Sequence, residues 1–333
     1  MTTRILLIKL GALGDVLRTT SLLPALKKKW PAARVTWVLA EPARPLVARN
    51  GDVAEILSIE SLDSNAARFA RLTRESWDVL INLDEDPRAT RISTDLVKAG
   101  EKFGIGCDPQ GKLIPLSPAA LHLVRLAADD RLKFRENQMP FQALIHQAVG
   151  LRWLGEPYAY VPPPDLAERR KKLFSGIPKS KRAGIFVGAS ERYANKFWSE
   201  SEIARFCLQI QSDVFLFGGP SERARLENLG RTDPCRSLPR FAADTLDDLA
   251  GLVAACDLLI CGDTLAMHLA IAMQIPLIVL FGPTAHAEIT LNGRKIITPY
   301  SCGPCYLREC DITPSCMSAI RPERVIRAIR EFL

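Results

Sequence analysis

Residues 258–284 read LLICGDTLAMHLAIAMQIPLIVLFGPT. Two apolar runs, Leu258–Cys261 and Leu277–Phe281, have the length and continuity of strands buried on both faces. Between them the spacing predicts a sharp turn at Gly262-Asp263-Thr264 and a helix from Leu265 to Met273. A strand–helix–strand unit of this kind builds a parallel sheet covered by helices, so the stretch sets the fold class as α/β. Asp263 or Thr264 can cap the helix and satisfy amides that lack partners at its start. His268 follows Thr264 by four positions, so both project from one face of the first turn. An ordinary capped βαβ unit has the same outline. The polar set Asp263, Thr264 and His268 on an otherwise apolar unit favours an anion site at the helix N-terminus, a phosphate above all.

Working outward, the same alternation fills the C-terminal half. A strand is expected at Ala183–Val187, then a helix at Glu200–Gln211 and a strand at Asp213–Phe217. The loop Gly218-Gly219-Pro220 follows, then helices at Ser221–Gly230 and Asp247–Ala255. The N-terminal half opens with a strand at Arg4–Lys9, the turn Gly11–Asp15 and one amphipathic helix running to about Trp30. Further strands are expected at Arg34–Leu39, Glu55–Ile59 and Asp78–Leu83. Residues 101–153 are less regular and predict a small strand pair plus a helix over Met139–Leu154. The tract Val161-Pro162-Pro163-Pro164 is a stiff linker. These signals divide the chain into a domain over 1–161, a domain over 165–320 and a C-terminal helix over 321–333 that can pack back on the first. Two Rossmann-like halves imply a cleft, with ligands outside the carboxyl ends of the strands.

The length of 333 residues fits two domains, and 47% hydrophobic with 24% charged residues fits a well-cored globular protein. No leading segment has the pattern of a signal peptide and no apolar run is long enough to span a bilayer. We therefore expect a cytoplasmic protein, or one held peripherally on the cytoplasmic face of the inner membrane. The net charge of +7 points to anionic partners, such as nucleotide sugars or lipid phosphates. Nucleic acid is disfavoured, because the basic residues are scattered and only 7% of residues are aromatic.

Three further loops carry chemistry. Gly11-Ala12-Leu13-Gly14-Asp15 has two glycines that permit a tight turn, without the spacing of a dinucleotide fingerprint. Asp15 would repel a phosphate, so it reads as a general base for a hydroxyl, or else as a helix N-cap. In the loop after the Ala183–Val187 strand, Ser190 can donate to a phosphate and Lys196 supplies a point charge for a diphosphate, with Arg192 as a competitor. In Phe217–Glu222, Gly218 and Gly219 permit close approach, and Glu222 can accept from ribose hydroxyls or cap the helix that follows.

Over nearly its whole length the chain resembles the family 9 glycosyltransferases, the lipopolysaccharide heptosyltransferases. The resemblance rests on ILLIKLGALGDVLRTTSLLPALKKKWP (5–31), on GAS and NKFW within 188–198, on FGGPSE (217–222), and on GDTLAMHLAIAMQIPLIVLFGPT (262–284). It implies the GT-B fold, two Rossmann-like domains facing each other across a cleft. It also implies transfer of a heptose from ADP-heptose to a lipid A–core acceptor. Asp15 matches the base that deprotonates the acceptor hydroxyl. Ser190 and Lys196 match the diphosphate-holding residues, Glu222 the nucleoside contact, and Asp263, Thr264 and His268 the contacts to diphosphate and transferred sugar. The implied chemistry is an inverting displacement that needs no cofactor and no catalytic metal, with Lys196 and the helix N-terminus at Thr264 neutralising the leaving diphosphate. Leu265 stands where many members have glycine.

Cys302, Cys305, Cys310 and Cys316 place four thiols within fifteen residues, a set that can hold a structural zinc ion. Their spacing is tighter than that of a paired-knuckle site, which favours free thiols. Two other function classes remain open: a GT-B-fold sugar-nucleotide epimerase or hydrolase, and a non-catalytic nucleotide-sugar-binding protein. Loss of turnover with retained nucleotide binding on Asp15→Ala separates a transferase from a binding module.

Overall fold

The computed structural model describes residues 2–175, 182–189, 195–210 and 213–332. The chain divides into two compact units, Met1–Val161 and Pro162–Leu333, parting at the proline tract.

The first unit contains β1 (Thr3–Ile8), β2 (Ala33–Leu39), β3 (Val53–Ser58), β4 (Trp77–Asn82), β5 (Ala99–Cys107) and β6 (Leu113–Pro115). Their order in the sheet is β3-β2-β1-β4-β5-β6. All pairings are parallel except β5 with β6, which is antiparallel. The second unit contains β7 (Arg182–Phe186), β8 (Asp213–Gly218), β9 (Arg240–Ala242), β10 (Leu258–Gly262), β11 (Leu277–Phe281) and β12 (Gly293–Ile297). Their order is β12-β11-β10-β7-β8-β9, parallel throughout. Helices connect the strands, as parallel pairing demands. The apolar runs of the central strands are buried: Ile5–Ile8 and Leu258–Ile260 are each 0% exposed, so both faces of each sheet are covered.

In each sheet the winding reverses beside the first strand, between β1 and β4 and between β7 and β10. Loops leaving adjacent strands part at these switch points, and the gap between them is where open α/β sheets bind ligands. Four loops therefore matter: those after β1 and β4 in the first unit, and those after β7 and β10 in the second.

Several expectations are revised. The single helix expected to reach Trp30 is two, Leu13–Thr19 and Leu22–Lys29. Pro24 has no N–H to continue the ladder, while the hydroxyls of Thr20 and Ser21 donate to Leu17 O and Arg18 O and close the first helix. The helix expected over Met139–Leu154 covers only Phe141–Ala148, and Gly150 follows it at φ +68°. The helix expected from Ser221 starts at Arg223 after a tight turn at Pro220–Glu222. The C-terminal helix, Pro322–Ile329, places Val325, Ala328 and Ile329 in the core of the second unit with Ile260, Ile278 and Leu280.

Candidate functional site

The helix Leu13–Thr19 takes in the last three residues of the expected turn, so Gly14 and Asp15 sit in its first turn. Ala12 takes the N-cap position, which removes that role from Asp15. A carboxylate in a first helical turn is favoured by the peptide dipoles. Arg18, one turn on, brings Nε and Nη2 to 3.1 and 2.9 Å from Asp15 Oδ1. The guanidinium is itself fixed by stacking on the ring of Phe141, with its carbon 3.6 Å from the ring centroid.

From the other side, Lys9 Nζ stands 3.8 Å from Asp15 Oδ2. Lys9 and Asp84 are each only 8% exposed and pair at 3.2 Å. Asp84 Oδ2 also accepts from Leu10 N at 2.9 Å and Gly11 N at 3.5 Å. Asn82, at the end of β4, locks Asp84 in turn: its Oδ1 accepts from Asp84 N and its Nδ2 donates to Asp84 O. The three acids Asp84-Glu85-Asp86 have separate partners. Asp84 anchors the turn after β1, Glu85 pairs with Lys133, and Asp86 caps the helix Pro87–Arg91. Lys9, Arg18 and Asp84 were missed as site residues. The signal was available, since Lys9 and Asp84 each stand just beyond the apolar run of a central strand. A Cβ on Gly11 would meet nothing within 4 Å, so this glycine is not required by packing.

In the second unit, β10 runs into Gly262-Asp263-Thr264 and the helix Leu265–Ala272. Thr264 occupies the N-cap position but makes no side-chain cap hydrogen bond; its hydroxyl lies 3.4 Å from Gly262 O. Asp263 does not cap the helix either. It faces Lys196, whose Nζ is 3.4 Å from Asp263 Oδ2 in a mostly buried pair with side chains 13% and 18% exposed. Gly262 makes that pairing sterically feasible, because a Cβ there would stand 2.3 Å from the carbonyl oxygen of Lys196. His268 is buried at 6% exposure within the same helix.

One half-buried side chain bridges Val187, just after β7, and Trp198. Arg225 donates from Nη1 to Val187 O at 2.6 Å and from Nη2 to Trp198 O. Burial pulls its pKa below the usual guanidinium value. Ser190, and Arg192 beside it, lie outside the described residues. The cysteine-containing loop closes over the same edge, with Cys305 N and Tyr306 N donating to Pro283 O and Asn195 Nδ2 donating to Leu307 O.

Glu222 lies in the turn after β8. It is 9% exposed, its Oε2 accepts from Gly219 N at 2.8 Å and its Oε1 from Ser221 Oγ at 2.9 Å. The alternative of a local cap is what the geometry contains. The glycines serve Glu222 itself: a Cβ on Gly218 would lie 2.4 Å from Glu222 Cβ, and one on Gly188 would lie 2.8 Å from its Cδ.

The four clustered cysteines are free thiols, Cys316 buried and the others half-buried. Burial and the neighbouring Cys310, Cys305 and Cys302 push the Cys316 thiol up to about 11. Among the described residues no three His, Cys, Asp or Glu side chains are gathered to hold a metal ion. Among these residues, too, no helix is long and apolar enough to cross a membrane.

Comparison with known proteins bears on this geometry. Lipopolysaccharide heptosyltransferase 1 of Pseudomonas aeruginosa is 24% identical, over 99% of this chain and 98% of its own. A family 9 glycosyl transferase from Veillonella parvula superposes with a TM-score of 0.73 at 19% identity, covering 99% and 97% of the two chains. The E. coli heptosyltransferase WaaC, solved with ADP-2-deoxy-2-fluoro heptose, does so with a TM-score of 0.64 at 18% identity over 99% of both. These structural likenesses establish the GT-B fold. The sequence model of glycosyltransferase family 9 (heptosyltransferase) matches residues 69–314, well over half of the chain. On that match the chain belongs to glycosyltransferase family 9.

Proposed function

We propose that the protein transfers a heptose from an ADP-activated donor to a lipopolysaccharide core acceptor with inversion at the anomeric carbon. The observation that carries the donor side is the Lys196–Asp263 pair beside a helix N-terminus without a side-chain cap, at the switch point of the second sheet. Backbone amides aimed along a helix axis and an adjacent ammonium are what a diphosphate needs. WaaC, bound to an ADP-heptose analogue, supports adenine nucleotide and heptose as the donor's parts.

In this reading Asp15 takes the proton of the acceptor hydroxyl while its oxygen forms a bond to the anomeric carbon. The bond from that carbon to the diphosphate oxygen breaks, and ADP leaves with the electron pair. Lys196 and the first-turn amides after Thr264 stabilise that charge, with Ser190 and His268 as further donor contacts. Glu222 acts on the nucleoside through the loop it shapes. The cationic surplus suits a phosphorylated lipid A–core acceptor and a peripheral position on the cytoplasmic face of the inner membrane.

The test is product analysis with ADP-heptose, GDP-heptose and UDP-sugars on a core-oligosaccharide acceptor. Transfer from ADP-heptose alone is expected, and inactivity with every donor would refute the assignment.

A further inference from the structure

The first switch point holds two carboxylates and two cations, and the distances between them are unequal. Arg18 is in hydrogen-bond contact with Asp15, at 2.9 and 3.1 Å. Lys9 is not: its Nζ reaches Asp84 at 3.2 Å and stops 3.8 Å short of Asp15. Lysine carries its charge on a flexible stem, and a move of well under 1 Å would bring that ammonium into contact. What holds it back is Asp84, buried, backed by Asn82 and accepting also from Leu10 N and Gly11 N.

From this geometry we infer that Asp84 is a positioning residue for transfer: it keeps the Lys9 ammonium off Asp15. An ammonium hydrogen-bonded to a carboxylate stabilises its charged form and lowers its affinity for a proton, which is the property a general base uses. Lys9 steadies the Gly11–Asp15 turn through Asp84 without adding a second hydrogen-bonded cation to the carboxylate that Arg18 already holds. The inference rests on the reading of Asp15 as the base. Arg18 has the complementary part, since its planar fork, pinned on Phe141, orients the carboxylate.

The experiment is a double-mutant cycle in the full-length enzyme, with kcat, donor KM and thermal unfolding measured for each variant. Asp84→Asn keeps an oxygen for Leu10 N and Gly11 N but releases Lys9, and kcat should fall about ten-fold with donor KM unchanged. Adding Lys9→Met to that variant removes the freed ammonium and should recover most of the loss. A residue with a merely structural role would not be rescued by a second cut into the same buried pair. Lys9→Arg supplies the test that keeps the ion pair, and with it the fold. Its longer fork reaches both carboxylates, so kcat should again fall about ten-fold. Full kcat in Lys9→Arg, or no recovery in the double variant, would overturn the inference. Asp15→Ala separates this outcome from failure of the underlying reading: if turnover survives that change, Asp15 is not the base at all.

Discussion

The two sheets reverse at the same place and spend the space differently. At the first switch point the loops after β1 and β4 are tied side chain to side chain. The Asp84 carboxylate holds four donors, Arg18 grips Asp15, and every contact ends on a charged group. At the second, the loops after β7 and β10 meet through missing side chains. Gly262 lets the Lys196 carbonyl pass, Gly188 and Gly218 make room for Glu222, and the helix after Thr264 starts without a side-chain cap. The first arrangement fixes one carboxylate; the second holds Lys196 against Asp263 beside a helix start without a side-chain cap. On the proposed function, one topology thus yields a proton-accepting edge and an anion-holding edge.

The largest test of that contrast is Asp15→Ala. If the first edge supplies only the base, kcat falls by about 10²–10⁴ while ADP affinity, measured by calorimetry, stays put. Weakened ADP binding would show that the two edges do not divide the work. Next is Lys196→Met, which removes the charge from the second edge while keeping the stem. Expected is a loss of about 10²–10³ in kcat/KM with a matching fall in ADP affinity, and unchanged affinity would detach Lys196 from the diphosphate. Smaller is Gly262→Ala. Its Cβ would press on the Lys196 carbonyl from 2.3 Å, so the backbone must shift. We expect about 1–3 kcal/mol of destabilisation in urea titrations and weaker ADP binding without any change in the proton step.

Much of this was legible in the sequence, for reasons that particular residues make clear. β10, its helix and β11 were read to within a residue at each end, because uninterrupted apolar runs leave a buried strand no other place to go. β9 and β12 were not foreseen. They are edge strands, short or polar, and Arg240 or Gly293-Arg294-Lys295 has no hydrophobic pattern to read. At the sites, the residue types were legible and their pairings were not. Lys9 and Asp84 are 75 positions apart and meet only because β1 and β4 are neighbours. Lys196 and Asp263 are 67 apart and meet across β7 and β10. The residue types of 217–222 were legible too, but not that a Cβ on Gly218 or Gly219 would meet the Glu222 side chain.

The smallest prediction concerns acid. His146 lies in the helix Phe141–Ala148, whose Phe141 supports Arg18, and it is 0% exposed. Its Nδ1 is 2.7 Å from Gln142 O, and its Nε2 has no hydrogen-bond partner, with Glu156 Oε2 at 3.9 Å. Burial holds its pKa below the ordinary 6.5, against the opposing pull of Glu156. The unfolded chain therefore takes up a proton near pH 6.5 that the folded one resists. Stability is unaffected by this group above that pH and declines as the pH drops below it. His286 in the second unit shifts in the same direction, through burial and the nearby Lys295, so both units share the trend. The first can be read separately: Trp198 is the one tryptophan of the second unit, so in a Trp198→Phe background the fluorescence reports the first unit alone. Urea midpoints from that signal should fall between pH 7.5 and 5.5, and His146→Gln should flatten the fall. If the slope persists unchanged in His146→Gln, the buried imidazole is not the source of the first unit's acid sensitivity.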